Sequence, residues 1–231
     1  MKVIILCGGL GSRLSEETKT KPKPMVKICG KPILIHIMEI YKKFGFNDFI
    51  LASGYKHNYI KNYFKKNKKF NVIVEFTGRN TLTGGRILRL KKFFNTGENF
   101  MLTYGDGLTN QNLKKLLAFH KRKNKVATLT AVRPPVRFGE IILKDDYVKS
   151  FKEKPQVKKG WINGGFFVFN YEIFNYIKNE NTMLERDPMN LLVKKKNLAS
   201  YKHPGFWQCM DTMRDKKFLE LLIKQKKALW M

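Results

Sequence analysis

Four basic side chains follow a short apolar segment and a glycine-rich turn near the start of the chain. The apolar segment is 3–7, the last glycine of the turn is Gly11, and Arg13 comes next. Three lysines then alternate with threonine and proline, at Lys19, Lys21 and Lys23. The prolines between them favour an extended chain, which would project all three ammonium groups from one side. The pattern predicts a phosphate-binding loop with up to four cations near one glycine turn.

The three glycines of this turn suit an anion site because they lack a Cβ atom. Gly8, Gly9 and Gly11 let backbone N–H groups approach an anion and adopt φ values that other residues avoid. A P-loop is excluded because no Gly-Lys pair is followed by Ser or Thr, and a dinucleotide fingerprint is excluded by Leu14. The alternative interpretation is a tight strand-to-helix turn with solvated lysines.

Two lone carboxylates could bind a cation. Asp106 lies between two glycines, directly after the predicted buried strand 100–104. Ligands of open α/β sheets bind at the carboxyl ends of parallel strands, so this position suits a metal ligand. Taken alone, the Asp-Gly pair favours a simple turn. Asp211 is the second lone carboxylate and follows an aromatic-rich segment.

A glycine pair opens a predicted helix at Thr83. Gly84-Gly85 is compatible with a simple helix start. It also permits a flat nucleobase or an anion to lie against bare backbone at the helix N-terminus. The sequence alone leaves both interpretations open.

The elements that must position these residues alternate between strand and helix in the first half of the chain. Apolar periodicity predicts strands at 3–7, 48–53, 72–76 and 100–104, with helices at 32–45, 56–66 and from Thr83 onward. This alternation is typical of βαβ units, which form parallel sheets. From residue 126 the chain becomes strand-rich, and Asp145-Asp146 predicts a hairpin turn between antiparallel strands. A helix at 212–226 closes the chain.

These elements predict a single α/β domain over 1–231, since the chain is too short for two full-sized catalytic domains. We expect a mixed, mainly parallel Rossmann-like sheet flanked by helices. A strand-rich antiparallel extension is expected in the C-terminal half. The apolar run at the N-terminus is too short for a signal peptide, and no apolar stretch approaches the length of a membrane span. A cytoplasmic protein without membrane insertion is therefore expected.

The formal net charge of +28 is extreme and suggests a polyanionic partner. The lysines are spread over nearly all predicted helices and loops, and no known nucleic-acid-binding motif accompanies them. We interpret most of this charge as solvated surface and keep a basic nucleic-acid-binding protein as a remote alternative.

The cysteines and histidines do not suggest catalysis. The 3 cysteines are odd in number and widely spaced, without a C-x-x-C pair, which predicts reduced structural thiols. The 4 histidines are scattered, and no Ser or Cys motif accompanies them.

Several motifs together resemble a known family. GGLGSRL at 8–14 followed by KPKPM at 21–25 resembles the start of the sugar-1-phosphate nucleotidyltransferases. Other motifs resemble that family's glucose-1-phosphate cytidylyltransferase branch, namely SEET, TLTGGR, TYGDG, WINGGFFVF and GFWQCMDT. The resemblance covers nearly all of the chain.

The resemblance implies the transfer of a cytidylyl group from CTP to α-D-glucose 1-phosphate. The products would be pyrophosphate and CDP-glucose, a precursor of dideoxysugars in surface polysaccharides such as O-antigen. It implies Mg²⁺ as cofactor, held by Asp106 and Asp211. It also implies a homo-oligomer and no specific nucleic acid. The nearest alternative is the same reaction with another nucleotide or sugar 1-phosphate.

The resemblance also assigns the site residues. Residues 1–107 would form the nucleotide-binding half and 108–231 the sugar-phosphate-binding half. The catalytic residues would be Arg13, Lys23 and Asp106. The nucleotide would contact Leu6, Cys7, Gly8, Gly9, Gly11, Ser12, Arg13, Lys23, Thr83, Gly84, Gly85, Gly105 and Asp106, with Arg86 and Arg89 both candidates for a phosphate contact. The sugar phosphate would contact Tyr104, Glu153, Lys154, Asn163, Gly164 and Gly165.

One feature departs from that branch. Between the second helix and Thr83 the chain is shorter than the cytidylyltransferases, which carry an insertion there. Because of this difference, the resemblance alone does not fix the contacts between subunits or the identity of the sugar.

Overall fold

A computed structural model describes residues 1–133, 140–144, 147–152 and 160–231 of the chain. The strands in these ranges are β1 Lys2–Cys7, β2 Lys27–Ile28, β3 Lys31–Pro32, β4 Asp48–Ser53, β5 Asn71–Phe76, β6 Asn99–Tyr104, β7 Gly107–Thr109, β8 Ala127–Val132, β9 Glu140–Lys144, β10 Tyr147–Lys152, β11 Ile162–Asn170, β12 Leu198–His203 and β13 Trp207–Cys209. The α-helices are α1 Ser15–Thr18, α2 Ile33–Lys43, α3 His57–Lys66, α4 Thr83–Arg89, α5 Leu113–Lys123, α6 Asp187–Lys194 and α7 Met213–Lys224.

Seven strands form the central sheet, in the order β12-β8-β11-β6-β1-β4-β5. The neighbours of β1 are both parallel to it, β4 on one side and β6 on the other. Strand β11 runs antiparallel between β6 and β8, and β12 is parallel to β8. The expected mixed, mainly parallel sheet flanked by helices is therefore confirmed, and β11 supplies its antiparallel part.

Helices cover both faces of the sheet, and this explains the unbroken apolar run of β1. Val3 and Ile5 belong to one core cluster, with residues of α2, α3, α5 and α7. Ile4 points to the opposite face, where it packs with residues of α4 and α6. Successive side chains of a strand alternate between faces, so a strand buried on both sides must be apolar at every position. The 3–7 segment predicted such a strand.

Strands β9 and β10 pair antiparallel, which confirms the predicted hairpin. The turn residues Asp145 and Asp146 lie outside the described residues. Together with β11, this hairpin is the antiparallel extension predicted for the C-terminal half. Within the described ranges, no helix has the length and apolar character needed to cross a bilayer.

Helix α7 begins with a capping box that fixes the segment just before it. The Thr212 side chain accepts from the Asp215 backbone N–H, and the Asp215 carboxylate accepts from the Thr212 N–H at 2.9 Å. The same carboxylate accepts from the Asp211 N–H at 3.0 Å. Reciprocal capping satisfies backbone donors that have no partner within the helix. The start of α7 thereby holds the backbone of Asp211 in place.

Stability should fall as the pH is lowered, because buried histidines are held neutral. His120 contacts Thr128 Oγ1 at 2.9 Å, and burial lowers its pKa from 6.5 to about 4. The unfolded chain therefore binds the proton more tightly than the folded protein does. The stabilisation is complete above the unfolded pKa of 6.5 and is lost as the pH falls toward 4. Burial also lowers the pKa of His36, His57 and His203, in the same direction.

Urea unfolding between about pH 7 and pH 5, the range in which a histidine normally titrates, measures this effect. His120→Gln should show a shallower loss of unfolding free energy over this range than the wild type. Equal slopes for the two proteins would contradict the assignment to His120.

Candidate active site

The glycine turn after β1 forms one wall of a cavity of about 430 Å³, the first cavity. Its lining comes mostly from the carboxyl ends of β1 and β6, from the turn that follows β1 and from the start of α4. The lining residues are Leu6, Cys7, Gly8, Gly9, Gly11, Ser12, Arg13, Lys23, Pro24, Thr81, Leu82, Thr83, Arg86, Tyr104, Gly105, Asp106 and Met183. All the residues expected to contact the nucleotide line this cavity except Gly84, Gly85 and Arg89.

Two glycines of the turn are required by close packing. Gly11 has φ +66°, in the left-handed region, and a Cβ atom there would lie 2.9 Å from the Lys23 Cβ. A Cβ atom on Gly8 would lie 2.1 Å from the Arg86 Cζ. A side chain at either position would strain the turn or displace a neighbour.

Arg86 is a buried guanidinium that braces the walls of the first cavity. It is 5% exposed and donates to the carbonyl oxygens of Gly8 at 3.1 Å and Gly78 at 2.7 Å. It also donates to Ser53 O at 3.3 Å and to Thr77 Oγ1 at 2.9 Å. Burial lowers the pKa of Arg86. The side chain thus joins the ends of β1, β4 and β5, and it also lines the cavity.

The glycine pair of α4 has a different explanation from the one expected. A Cβ atom on Gly85 would lie 2.2 Å from the Glu180 carbonyl oxygen, and one on Gly84 would lie 2.8 Å from the Thr182 carbonyl oxygen. The bare backbone is therefore covered by the segment 180–182 and not by the cavity. Arg89 is turned outward and pairs with Glu180 at 2.6 Å. The geometry gives these two glycines and Arg89 contacts with the segment 180–182 outside the first cavity, and their expected nucleotide contacts stay predictions.

The predicted row of three lysines is also wrong. The lysine segment begins directly after helix α1 and ends in a 3₁₀ turn at Lys23–Met25, so it is not extended throughout. Lys21 pairs with Glu17 one turn away at 2.8 Å, and Lys19 is exposed. The Thr18 hydroxyl stabilises this compact turn by donating to Gly11 O and Leu14 O. Of the three lysines, Lys23 reaches the carboxylates of the site.

Asp106 and Asp211 are placed side by side by two short strands. β7 begins immediately after Asp106, β13 ends two residues before Asp211, and these strands pair antiparallel with Gly107 opposite Cys209. The Met210 N–H donates to the Asp106 carbonyl oxygen at 2.9 Å. Residues that lie far apart in the sequence are therefore neighbours at one edge of the sheet.

Lys23 lies between the two carboxylates. Its Nζ is 2.5 Å from Asp106 Oδ2 and 2.6 Å from Asp211 Oδ1. Burial alone would lower the pKa of Lys23, but the two carboxylates outweigh it and the pKa is raised. Burial alone would likewise raise the pKa of Asp211, but the bond and charge of Lys23 and the charge of Arg13 hold it below its usual range. Both shifts favour the charged forms of Lys23 and Asp211, and these two groups form one cluster with Asp106.

Arg13 extends this cluster toward solvent. Its guanidinium is 2.8 Å from Asp211 Oδ2, and its side chain is 70% exposed. The Lys23 side chain is only 12% exposed. One cation is therefore enclosed at the carboxylates, and the other is open to solvent and to a ligand.

A second cavity of about 200 Å³ lies on the other side of the carboxylates. It is lined by Arg13, Thr103, Tyr104, Asp106, Gly107, Asn163, Gly164, Gly165, Trp207, Cys209 and Asp211. Three residues line both cavities, namely Arg13, Tyr104 and Asp106. The two cavities therefore meet at the charged cluster.

The sugar-phosphate contacts expected from the sequence divide into two groups. Tyr104, Asn163, Gly164 and Gly165 are brought together around the second cavity. Glu153 and Lys154 lie outside the described residues. Their expected contacts with the sugar and its phosphate stay predictions.

The thiol of Cys209 lies in the second cavity but is not poised as a nucleophile. Burial, followed by the charge of Asp211, raises its pKa to about 12. The thiol therefore stays protonated at neutral pH, and only the thiolate is strongly nucleophilic.

Sequence reasoning missed several residues of the site. Glu185 accepts hydrogen bonds from Thr83 Oγ1, at 2.6 Å, and from the Tyr104 hydroxyl. Thr81, Leu82 and Met183 line the first cavity, and Trp207 lines the second. Thr81, Leu82 and Trp207 fall within TLTGGR and GFWQCMDT, so those motifs offered a signal. Met183 and Glu185 lie in a loop without a recognisable pattern.

Comparison with known proteins agrees with this arrangement. The family model described as "Nucleotidyl transferase" matches residues 2–218. Glucose-1-phosphate cytidylyltransferase of Salmonella typhimurium is 44% identical over 253 aligned positions, covering 100% of this chain and 98% of that protein. The probable glucose-1-phosphate cytidylyltransferase of Bacillus subtilis is 41% identical, with 100% and 99% covered.

A solved structure has the same fold. HddC from Yersinia pseudotuberculosis superposes with a TM-score of 0.75 at 27% identity, covering 96% of this chain and 99% of that one. The family match spans nearly the whole chain, and the relatives match it over its full length. The chain belongs to the nucleotidyl transferase family.

Proposed function

We propose that this protein transfers a cytidylyl group from CTP to α-D-glucose 1-phosphate, giving CDP-glucose and pyrophosphate. The choice of base and sugar is supported by the names of relatives that are 44% and 41% identical over the whole chain. The nucleotide would occupy the first cavity, and the sugar 1-phosphate would occupy the second.

One observation carries the proposal for phosphoryl chemistry. Two cations and two carboxylates converge where the cavities meet, with Lys23 Nζ within 2.6 Å of both carboxylates. A reaction between two polyanions is slow unless their charges are neutralised and their reacting atoms are held together. A charged cluster between two cavities supplies both requirements at the position where the two substrates would touch.

The proposed nucleophile needs no general base. A phosphate monoester has its second pKa near 6 and is largely dianionic at neutral pH. It can attack the α-phosphorus of CTP directly, forming the new P–O bond while the bond to pyrophosphate breaks. The charge of the departing pyrophosphate then has to be stabilised. Both cavities accordingly lack a histidine among their described lining residues.

We assign each basic residue to one phosphate according to its position. Lys23 is mostly buried and lies beside both carboxylates, so we assign it to the α-phosphate, where charge changes during transfer. Arg13 is exposed and can move, so we assign it to the leaving pyrophosphate. Gly8, Gly9 and Gly11 would hold the nucleotide through their backbone. Lys154 stays our proposal for the attacking phosphate.

Asp106 and Asp211 suit a divalent cation such as Mg²⁺. Their oxygens already converge on one ammonium nitrogen, and Mg²⁺ prefers oxygen ligands while keeping several waters. Within the described ranges, no group of three or more His, Cys, Asp or Glu side chains is placed to hold a metal ion, so water and phosphate oxygens would complete the coordination. When bound, the ion would neutralise charge on the transferring phosphate.

Turnover assays with a panel of nucleotides test the proposed specificity. CTP, UTP, dTTP and GTP would each be combined with glucose 1-phosphate and with other hexose 1-phosphates, and pyrophosphate release would be measured. CTP with glucose 1-phosphate should give the highest kcat/KM. A higher kcat/KM for another pair would contradict the proposed specificity and identify that pair as the preferred substrates.

The assembly and the location of the protein are further parts of the proposal. We propose a homo-oligomer that acts in the cytoplasm, where CTP is available. Light scattering coupled to gel filtration would give the mass of the assembly. A mass equal to that of one chain would contradict the oligomer.

A further inference from the structure

We propose that Trp207 is a positioning residue for the sugar phosphate, because its indole N–H holds the backbone of Gly164 and Gly165 in shape. This inference rests on the proposed function, in which the second cavity receives the sugar 1-phosphate. The two glycines form part of the lining of that cavity.

Gly164 and Gly165 lie at a break in the sheet. Along β11, Asn163 pairs with Ala131 and the next partner pair is Phe167 with Leu129, with a register shift between them. On the other side, pairing with β6 begins only at Phe166. Neither glycine therefore has a partner in the register of either ladder. Irregular stretches of this kind leave backbone groups that need other partners.

Trp207 supplies one of those partners. Its Nε1–H donates to the Gly164 carbonyl oxygen at 2.7 Å, across 43 residues of sequence. This is a short, direct bond by the usual range for N–H···O contacts. A buried carbonyl left without a donor would be destabilising, so the bond favours this one conformation of the bulge.

The neighbouring glycine is held by two other side chains. Gly165 has φ +75°, and a Cβ atom there would lie 2.4 Å from the Tyr104 ring. Its N–H donates to Asn163 Oδ1 at 2.9 Å. Tyr104 and Asn163 thus fix Gly165, while Trp207 fixes Gly164. Loss of the indole N–H would free the Gly164 side of the bulge and leave the Gly165 side held.

Trp207 is itself well placed for this role. It begins β13, where it pairs with Thr109 of β7, and its ring packs against the core. The same short strand leads to Asp211 four residues later. The bulge is therefore attached to the strand that leads to one of the proposed cation ligands. Its shape sets the distance between the bound sugar and the charged cluster.

Trp207→Phe tests the inference, because it keeps an aromatic ring and removes the N–H. The matched control is Trp161→Phe, since Trp161 is partly exposed beside Arg133 and Lys202 and lines neither cavity. We expect the KM for glucose 1-phosphate to rise about fivefold or more in Trp207→Phe, on the scale of leaving one carbonyl unsatisfied. The KM for CTP should stay within about twofold, and the control should match the wild type for both. A KM for glucose 1-phosphate within about twofold of wild type, or an equal rise for CTP, would overturn the proposal.

Hydrogen exchange gives a readout that requires no substrate. Peptides that contain Gly164 and Gly165 should exchange faster in Trp207→Phe than in the wild type or in Trp161→Phe, because the bulge opens more often. Unchanged exchange would overturn the positioning role even if turnover were altered.

If Trp207→Phe did not fold, Trp207→His, a smaller ring that keeps an N–H donor, would take its place. It should retain more of the protection than Trp207→Leu, and equal exchange in these two variants would overturn the role of the N–H. If the wild type formed no product from any nucleotide and sugar pair, the proposed function would fail, while the exchange experiment would still decide the role of Trp207.

Discussion

Asp106→Asn should lower kcat/KM by about 10²- to 10³-fold, equivalent to about 3–4 kcal/mol of transition-state stabilisation. The substitution keeps the shape of the side chain and removes the charge that contacts Lys23 at 2.5 Å. It would also remove one of the two charged oxygen ligands proposed for the divalent ion. Asp211→Asn should have a similar effect, with an added loss of order at Arg13, which pairs with that carboxylate.

Asp48→Asn is the matched control for these two substitutions. Asp48 begins β4 far from the cavities, and its side chain is 51% exposed. It accepts a hydrogen bond from Asn71 Nδ2 at 2.7 Å and lies 4.0 Å from the N-terminal amine. Initial rates over a range of CTP and Mg²⁺ concentrations would be measured for all three variants. If Asp106→Asn kept kcat/KM within about tenfold of the Asp48→Asn value, below the loss typical of a removed charged contact, Asp106 would be removed from the site.

Lys23→Met should produce two opposite effects, a fall in turnover and a rise in cation binding. Turnover should fall about 10²-fold or more even at saturating substrates, because Lys23 is assigned to charge that changes during the reaction. In the substrate-free protein, however, the ammonium group lies between the two carboxylates within 2.6 Å of each. Removing it leaves the Asp106 carboxylate without its ammonium partner, while Asp211 stays paired with the exposed Arg13. The two carboxylates can then accept a metal ion between them.

Titration with Mn²⁺ in the absence of nucleotide, followed by electron paramagnetic resonance, would measure the second effect. Lys23→Met should bind Mn²⁺ more tightly than the wild type. Lys21→Met is the control, because Lys21 pairs with Glu17 and does not contact the carboxylates. Weaker Mn²⁺ binding in Lys23→Met than in the control would show that Lys23 does not compete with a cation for this position.

The strands of the first half could be predicted from the sequence because their signal is local. The 48–53 run is apolar in its middle and polar at both of its ends, and β4 occupies that range. Helix α2 was predicted at 32–45 and is found at Ile33–Lys43. Parallel strands buried on both faces need no partner information to be recognised, since every position must be apolar.

The lysine-rich segment could not be predicted correctly because its fold depends on competing local bonds. Alternating prolines favour extension, but Lys21 bonds to Glu17 and Thr18 bonds to Gly11 and Leu14, which closes a compact turn. The sequence pattern contained both tendencies, and the hydrogen bonds determined the outcome. The expectation that all three lysines project from one side was therefore wrong, and of the three Lys23 reaches the carboxylates.

The connections across the site are long-range and leave no local pattern. Arg13 and Asp211 are 198 residues apart, and Trp207 and Gly164 are 43 residues apart. The pairing of Asp106 with Asp211 was expected only through the resemblance to a family. The packing of segment 180–182 on the glycine pair of α4 was not expected at all, because the loop carries no periodicity that predicts its course.

In the proposed reaction, a sugar 1-phosphate attacks the α-phosphorus of CTP at the cluster formed by Lys23, Asp106 and Asp211. Phosphorus NMR of the wild-type protein with CTP, glucose 1-phosphate and Mg²⁺ tests it most directly, because it distinguishes which P–O bond is broken. Attack at the α-phosphorus predicts the loss of the glucose 1-phosphate signal and the appearance of CDP-glucose and pyrophosphate in equal amounts. Formation of inorganic phosphate and CDP would contradict it. Substrate signals that stay unchanged at high enzyme concentration would contradict it as well.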